Sequence, residues 1–359
     1  MTFLETAWHE KAGWLIILWP ISILFRLLAL CRRRLQQISS RPSHINVPIV
    51  VVGNISVGGT GKTPVVIALA KNLKSLGINP GIISRGYGGS AAAYPLIVNS
   101  DCEVSACGDE ALLIQDKTNC PVVVDPDRTA AINLLMQKFR EEIDLVISDD
   151  GLQHYKLYRD LEIAVVDGNR LFGNGLCFPA GPLREPVSRL LEVDHIIVNG
   201  GSNDKENNSG HVSRKPAQTS SANNFIECAL AKGHKMVLKP TFFINLLSGE
   251  RRPFLGAPFN IGNTIQAVSA IGNPERFYAL LEKLPHQMVR FSFPDHHLYR
   301  EEDFEAKGID MKQPIVMTEK DAVKCRDFAN SSFWVLEVSV DLPNGFTENL
   351  VDQLNLEQG

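Results

Sequence analysis

Residues 48–64, PIVVVGNISVGGTGKTP, decide the fold. Ile49, Val50, Val51 and Val52 form a β-branched run without polar alternation, the pattern of a strand buried on both faces of a parallel sheet. Residues 56–63, SVGGTGKT, follow at once and match the phosphate-loop consensus G-x-x-x-x-G-K-[ST] except at its first position, where Ser56 replaces glycine. Residues 65–77, VVIALAKNLKSLG, then read as a helix closed by Gly77. Strand, glycine-rich turn and helix are the context this motif requires. The glycines let backbone N–H groups turn onto phosphate oxygens, a lysine reaches the β- and γ-phosphates, and a Ser or Thr hydroxyl binds Mg²⁺. The nucleotide-binding candidates are therefore Ser56, Val57, Gly58, Gly59, Thr60, Gly61, Lys62 and Thr63.

Outward from this stretch, further apolar runs repeat the theme. INPGIISRGYGG (78–89), EEIDLVISDDG (141–151), LEIAVVDG (161–168) and VDHIIVNGG (193–201) each read as a buried strand running into a glycine- or acid-rich loop. The reading is an α/β, P-loop NTPase-like, doubly wound and mostly parallel sheet. Residues 201–224 are almost devoid of apolar side chains and read as a polar loop or linker. Beyond them, strands are expected at 242–247, 265–271, 314–318 and 333–338, with a helix at 274–284, which makes a second, smaller α/β domain. The expected division is an N-terminal membrane-associated helix and basic flank (1–36), a P-loop core (37–200), the linker (201–224) and the C-terminal domain (225–359).

Composition narrows the class. Of 359 residues, 44% are apolar, 21% charged and 8% aromatic, and 36 Lys+Arg face 40 Asp+Glu for a net charge of −4. This is an ordinary folded protein, neither collagenous nor a coiled coil, and it carries no basic excess for nucleic acid. The seven cysteines are odd in number, scattered and without a CxxC pair, against a disulfide framework or a structural zinc site.

The N-terminus departs from this average. Residues 13–25, GWLIILWPISILF, carry no charge; Arg26 interrupts, and Arg32, Arg33 and Arg34 follow. Such a stretch, about 20 residues or roughly 30 Å as a helix, matches a bilayer core. Ser22, Arg26 and Arg33 fall on one stripe, so the helix either enters the membrane and surfaces or lies in its interface. Trp14 and Trp19 suit the headgroup boundary and the arginines a cytoplasmic anionic face. A cleaved signal peptide would carry its positive charge before the apolar run.

A P-loop protein usually holds Mg²⁺ partly through an acid at the end of a neighbouring hydrophobic strand. Asp149, ending LVISD, supplies one, and Asp150 follows it. Thr63 and Asp149 are the metal candidates. Arg85 in SRGYGG and Arg128 in DPDRTAA are candidate phosphate contacts, because guanidinium binds phosphate bidentately. Gln153 and His154 of DGLQH and Glu185 of PLREP are further candidates for the same cleft.

Taken in order, VGNISVGGTGKTP, SRGYGG, GDEA, DDGLQH, PAGPLREP, FPDHH and TEKDAVK resemble the tetraacyldisaccharide 4'-kinase family, the lipid A 4'-kinases of Gram-negative bacteria. The resemblance runs from about Val47 to Lys324 and includes the apolar N-terminus. It implies phosphoryl transfer from ATP to the 4'-hydroxyl of a tetraacyldisaccharide 1-phosphate, with Mg²⁺, at the cytoplasmic face of the inner membrane. It implies Asp109 of GDEA as the base and His296 of FPDHH as its partner from the second domain, with Lys62 and Asp150 in the active site. Its partners would be the lipid A precursor and inner-membrane lipid, with no nucleic acid and no obligate protein partner. Two other classes stay open on the residues alone: a regulatory GTPase or metal-centre chaperone, and a membrane-tethered nucleotide sensor. The first reads guanine through an Asn/Thr-Lys-x-Asp motif, for which Thr318-Glu319-Lys320-Asp321 has the wrong spacing.

Overall fold

The computed structural model describes residues 3–36, 41–42, 45–200, 233–260 and 263–356. The polar stretch expected as a linker, 201–224, lies outside them. The chain forms two compact units, each discontinuous in sequence: Met1–Ile82, Met136–Val237 and Asp341–Gly359 make one, and Ile83–Leu135 with Leu238–Val340 make the other. The sequence-based division differs, since it kept 37–200 as one contiguous core. The difference has a physical origin: parallel strands are joined by long crossovers, so sheet neighbours come from distant segments that no local pattern identifies.

In the first unit the nucleotide strand Ile49–Gly53 pairs in parallel with Leu145–Asp149 on one side and Leu161–Asp167 on the other, and His195–Asn199 continues beyond the latter. All five residues of Ile49–Gly53 are buried, as the β-branched run required. Val65, Val66, Leu69 and Leu73 of the helix Lys62–Ser75 pack into the same core at 0% exposure. The C-terminal helix Phe346–Gln353 belongs to this unit: Asn72 Nδ2 donates to Thr347 Oγ1 at 3.3 Å, and the Phe346 ring meets those of His195 and His234 at 5.3 and 4.9 Å.

The N-terminal segment is also part of this unit. A helix Phe3–Glu10, a 3₁₀ segment Gly13–Leu18 and a helix Trp19–Gln36 follow one another. The α-helix begins at Trp19 because Pro20, which lacks an N–H, is tolerated only in a first turn. Ser22 is buried and its Oγ accepts from the Ala180 N–H at 2.9 Å. Trp8 Nε1 donates to Pro179 O at 3.0 Å, and the Trp8 and Phe25 rings stand edge-on to Phe178. Arg33 pairs with Glu192 and covers the Tyr155 ring at 5.3 Å. Ser22 and Arg33 of the expected polar stripe thus dock the helix on its own chain, while Arg26 is exposed. Away from this contact Ile21, Leu24 and Leu28 are 53–61% exposed, and Gly13–Gln36 is long and apolar enough to cross a membrane with 11% of its apolar window buried.

In the second unit, Gln287–Ser292, Thr264–Ser269, Ile315–Thr318 and Phe333–Asp341 form a parallel sheet, and Phe242–Ile244 pairs antiparallel with Arg251–Pro253. Phe243, Phe259, Phe277 and Tyr278 make one core cluster, and Tyr299, Phe304, Met317 and Phe333 another. The segment 83–135 contributes the antiparallel pair Leu96–Val98 and Val122–Val124 and the helix Asp109–Thr118. Among the described residues six cysteines are free, four of them buried.

Candidate active site

The phosphate loop leaves the buried end of Ile49–Gly53 and enters the helix Lys62–Ser75 through Gly61, whose φ of 97° suits glycine. A β-carbon there would lie 2.3 Å from Asn199 Nδ2, so glycine is required twice over. Asn199 Nδ2 donates to Thr60 O at 2.8 Å, Asn54 Nδ2 donates to Thr60 Oγ1 at 3.2 Å, and the Val57 N–H donates to Pro182 O at 2.7 Å. These bonds brace the loop before any ligand arrives. Ser56, Val57, Gly58, Gly59 and Thr60 line a small cleft with Asp167, Arg170, Leu171 and Pro182. Gly58 has φ 102°, and a β-carbon there would come within 4.0 Å only of Arg170 Nη1.

Two acids stand beside this loop. Asp149 pairs in register with Val52 of the nucleotide strand and is 1% exposed. Asp150 takes φ 48°, an unfavourable backbone for a non-glycine residue, and its carboxylate meets Lys62 Nζ at 3.5 Å and Arg184 Nη1 at 3.1 Å. Gln153 Nε2 donates to both Asn54 O and Glu185 Oε2 at 2.9 Å, and Tyr155 OH donates to Glu185. Burial first, then the Glu185 carboxylate, pushes the Tyr155 phenol above its ordinary range. His154 is half-buried and its carbonyl accepts from Arg159. Gln153 and Glu185 therefore come together beside the phosphate loop. Arg184 and Asn199 were missed in the sequence: an arginine in PLREP and an asparagine ending a strand look like ordinary loop residues.

Thr63, at the start of the helix, and Asp149 supply oxygen donors of the kind Mg²⁺ prefers. Among the described residues no group of three or more His, Cys, Asp or Glu could hold a metal. A cation at this position would take its remaining ligands from phosphate oxygens and water, which fits Mg²⁺ in a nucleotide site.

The second unit carries the other cluster. Asp109 begins the helix Asp109–Thr118 after Gly108 (φ 85°) and is 3% exposed. His296 Nδ1 lies 3.0 Å from its Oδ1 and 3.2 Å from its Oδ2, across 187 residues of sequence. Lys324 Nζ is 3.1 Å from Asp109 Oδ2 and 3.2 Å from Asp321 Oδ1. Lys320 Nζ donates to Glu110 at 2.9 Å and lies 3.2 Å from His296 Nε2. Burial would raise the Asp109 carboxyl, but the His296 hydrogen bond and the two ammonium groups outweigh it and hold the group far below the ordinary carboxylate range. Tyr87 packs its ring 4.5 Å from that of His296.

The two histidines of FPDHH separate cleanly. His297 stacks on Phe293 and bonds Asp303 Oδ2 at 3.0 Å. His296 alone meets Asp109. Arg85 is exposed, while Arg128 is 3% exposed and donates to Asp125 O at 3.2 Å. The Thr318–Asp321 segment is committed internally: Asp321 is 0% exposed and accepts from the Ala270 N–H at 3.1 Å.

These two clusters can be set beside known proteins. Residues 14–355 match the family model described as tetraacyldisaccharide-1-P 4'-kinase. A tetraacyldisaccharide 4'-kinase of Hahella chejuensis is 39% identical, with 99% of this chain and 97% of the relative covered. One from Francisella tularensis subsp. novicida is 42% identical over 94% of this chain and 99% of its own. A solved "apo" form of LpxK from Aquifex aeolicus in complex with ATP is similar at a TM-score of 0.69 and 26% identity, covering 95% of this chain and 98% of that one. With a phosphate loop braced in one unit, a buried Asp–His pair in the other, and a match along nearly the whole length, the chain belongs to the tetraacyldisaccharide-1-P 4'-kinase family.

Proposed function

We propose that the protein transfers the γ-phosphoryl group of ATP to the 4'-hydroxyl of a tetraacyldisaccharide 1-phosphate, forming lipid IVA at the cytoplasmic face of the inner membrane. The observation that carries this reading is the pairing of two chemistries in one chain: a braced phosphate loop with Lys62, and the buried Asp109–His296 pair. A bare switch NTPase has no use for the second.

The loop N–H groups and Lys62 bind and orient the phosphates, and Thr63 and Asp149 would hold Mg²⁺, which when bound balances the charge on the transferred group. Lys62 exchanges Asp150 for phosphate oxygens as nucleotide binds. Asp109 orients the 4'-hydroxyl and takes its proton while the new O–P bond forms and the bond to the ADP oxygen breaks. A loose transition state leaves the proton on the attacking oxygen until late, so a carboxylate held ionised is sufficient. Arg85, Arg128, Gln153, His154 and Glu185 are assigned to phosphate and substrate contact. The exposed face of Trp19–Gln36 enters the membrane interface and brings the enzyme to an acceptor that stays in the bilayer. Its docking through Ser22 and Arg33 supports a helix lying along the surface rather than crossing.

The test is incubation of the detergent-solubilised full chain with labelled ATP, Mg²⁺ and the tetraacyldisaccharide 1-phosphate. Label at the 4' position of the lipid is expected. Nucleotide hydrolysis with an unlabelled lipid overturns the reading in favour of a switch NTPase.

A further inference from the structure

His296 is held at both ring nitrogens, and its two partners together fix which of them carries a proton. On one side Nδ1 lies 3.0 Å from Asp109 Oδ1. On the other, Nε2 lies 3.2 Å from Lys320 Nζ. Lys320 is 16% exposed in its side chain and is surrounded by acids: Glu110 at 2.9 Å and Asp295 at 3.6 Å. Burial would strip its proton, but Glu110, Asp109 and Asp295 together raise it above the ordinary lysine range. It is thus an ammonium, with three donors and no acceptor. Toward Nε2 it can only donate, so Nε2 must present its lone pair and the ring proton must sit on Nδ1, facing Asp109. Asp295 lies 3.8 Å from Nε2, so without the ammonium this nitrogen would face a carboxylate and could carry a second ring proton, while Asp109 still requires the proton on Nδ1. The Tyr87 ring lies 4.5 Å from the imidazole at a tilt of 57°, Lys324 holds Asp109 Oδ2, and Oδ1 faces His296.

We propose that Lys320 is a positioning residue: by donating to His296 Nε2 it locks the imidazole as the neutral Nδ1–H tautomer, which in turn aims the Asp109 carboxylate. This assignment rests on the kinase reading for its consequence in turnover. It routes the acceptor's proton to Asp109, because the histidine's remaining lone pair is already used.

The test combines a spectrum with kinetics on the full chain. In protein labelled with ¹⁵N-histidine, a long-range ¹H–¹⁵N correlation spectrum reports which ring nitrogen carries the proton, and His296→Gln identifies the signals. The wild type is expected to show a protonated Nδ1 and a bare Nε2. Lys320→Met should leave Nδ1 protonated, because Asp109 still accepts there, and add a proton at Nε2, wholly or in part. It should also lower kcat for lipid phosphorylation by roughly 10-fold or more with KM for ATP unchanged, and Lys320→Arg should restore both. A wild-type spectrum with Nε2 protonated overturns the proposal even if Lys320→Met does not fold. So does a Lys320→Met protein whose Nε2 stays as bare as in the wild type. If Nε2 gains its proton as expected while the wild type phosphorylates no lipid, the kinase reading falls and the lock on His296 stands.

Discussion

Asp109 keeps its charge against nearly complete burial because one imidazole and two ammonium groups surround it. Its folded-state affinity for a proton is depressed, so it adds stability that is fully present above its unfolded pKa of about 4 and is lost as pH falls through the folded value. The melting-temperature difference between wild type and Asp109→Asn should accordingly be larger at about pH 7 than at about pH 3, as scanning calorimetry at the two values would show. In the transfer assay Asp109→Asn should lower turnover on the order of 10²–10⁴-fold while the protein stays folded by circular dichroism. Near-normal activity would remove Asp109 from the role of base. Lys62→Ala should cost on the order of 10²-fold or more, since in the proposed transfer its ammonium balances charge on the moving phosphoryl group. The phosphate loop was legible residue by residue because its signal is local. The Asp109–His296 contact was not: it joins residues 187 apart and was reached only through family resemblance. Lys320 and Lys324 sat in plain view in TEKDAVK, four apart, yet two lysines at that spacing look like any solvated helix face until the buried acids opposite them are known.

At the scale of elements, loop and helix behave as rigid parts whose tolerance can be ranked. Gly61→Ala forces a β-carbon to within 2.3 Å of Asn199 Nδ2 at a backbone angle of 97°, whereas Gly249, at φ 70°, has nothing within 4 Å of an added β-carbon. Nucleotide affinity measured by titration calorimetry should collapse in Gly61→Ala and be unchanged in Gly249→Ala, which carries backbone strain alone. The N-terminal helix makes a second prediction. Ile21, Leu24 and Leu28 share one exposed face, so replacing all three by Asp should release the protein from vesicles without unfolding it. Each loss forfeits on the order of 1.5–3 kcal/mol of apolar burial in the interface. Full retention in a flotation assay would place the anchoring surface elsewhere. Length and hydrophobicity of this helix were readable in advance; which of its polar residues face the protein was not, because a serine on an apolar helix gives no sign that an amide such as that of Ala180 is waiting for it.

For the whole molecule the decisive fact is that neither unit is contiguous. Residues 1–200 contain the entire phosphate loop yet lack Phe346–Gln353, which covers the loop's own helix through Thr347 and packs on His195. Expressed alone, this fragment should show no cooperative thermal transition; a sharp one would mean that the first unit is self-sufficient. The strands Ile49–Gly53, Pro80–Ser84, Leu145–Asp149, Leu161–Asp167 and His195–Asn199 and the helix Lys62–Ser75 were legible because each announces itself by composition, whereas the short pair Leu96–Val98 and Val122–Val124 and the helices Asp109–Thr118 and Arg128–Phe139 were not read. The partition into units depends on pairings between remote strands, which leave no mark on local sequence. The short loop 178–183 has one end against the apolar helix, through Ala180, and the other against the phosphate loop, through Pro182. The helix is therefore not an interchangeable tether. A chimera carrying a foreign membrane anchor would keep the Asn54 and Asn199 braces on its nucleotide loop yet leave the third, through Pro182, without support behind it, unless the graft also brought a hydroxyl at position 22 and an indole at position 8.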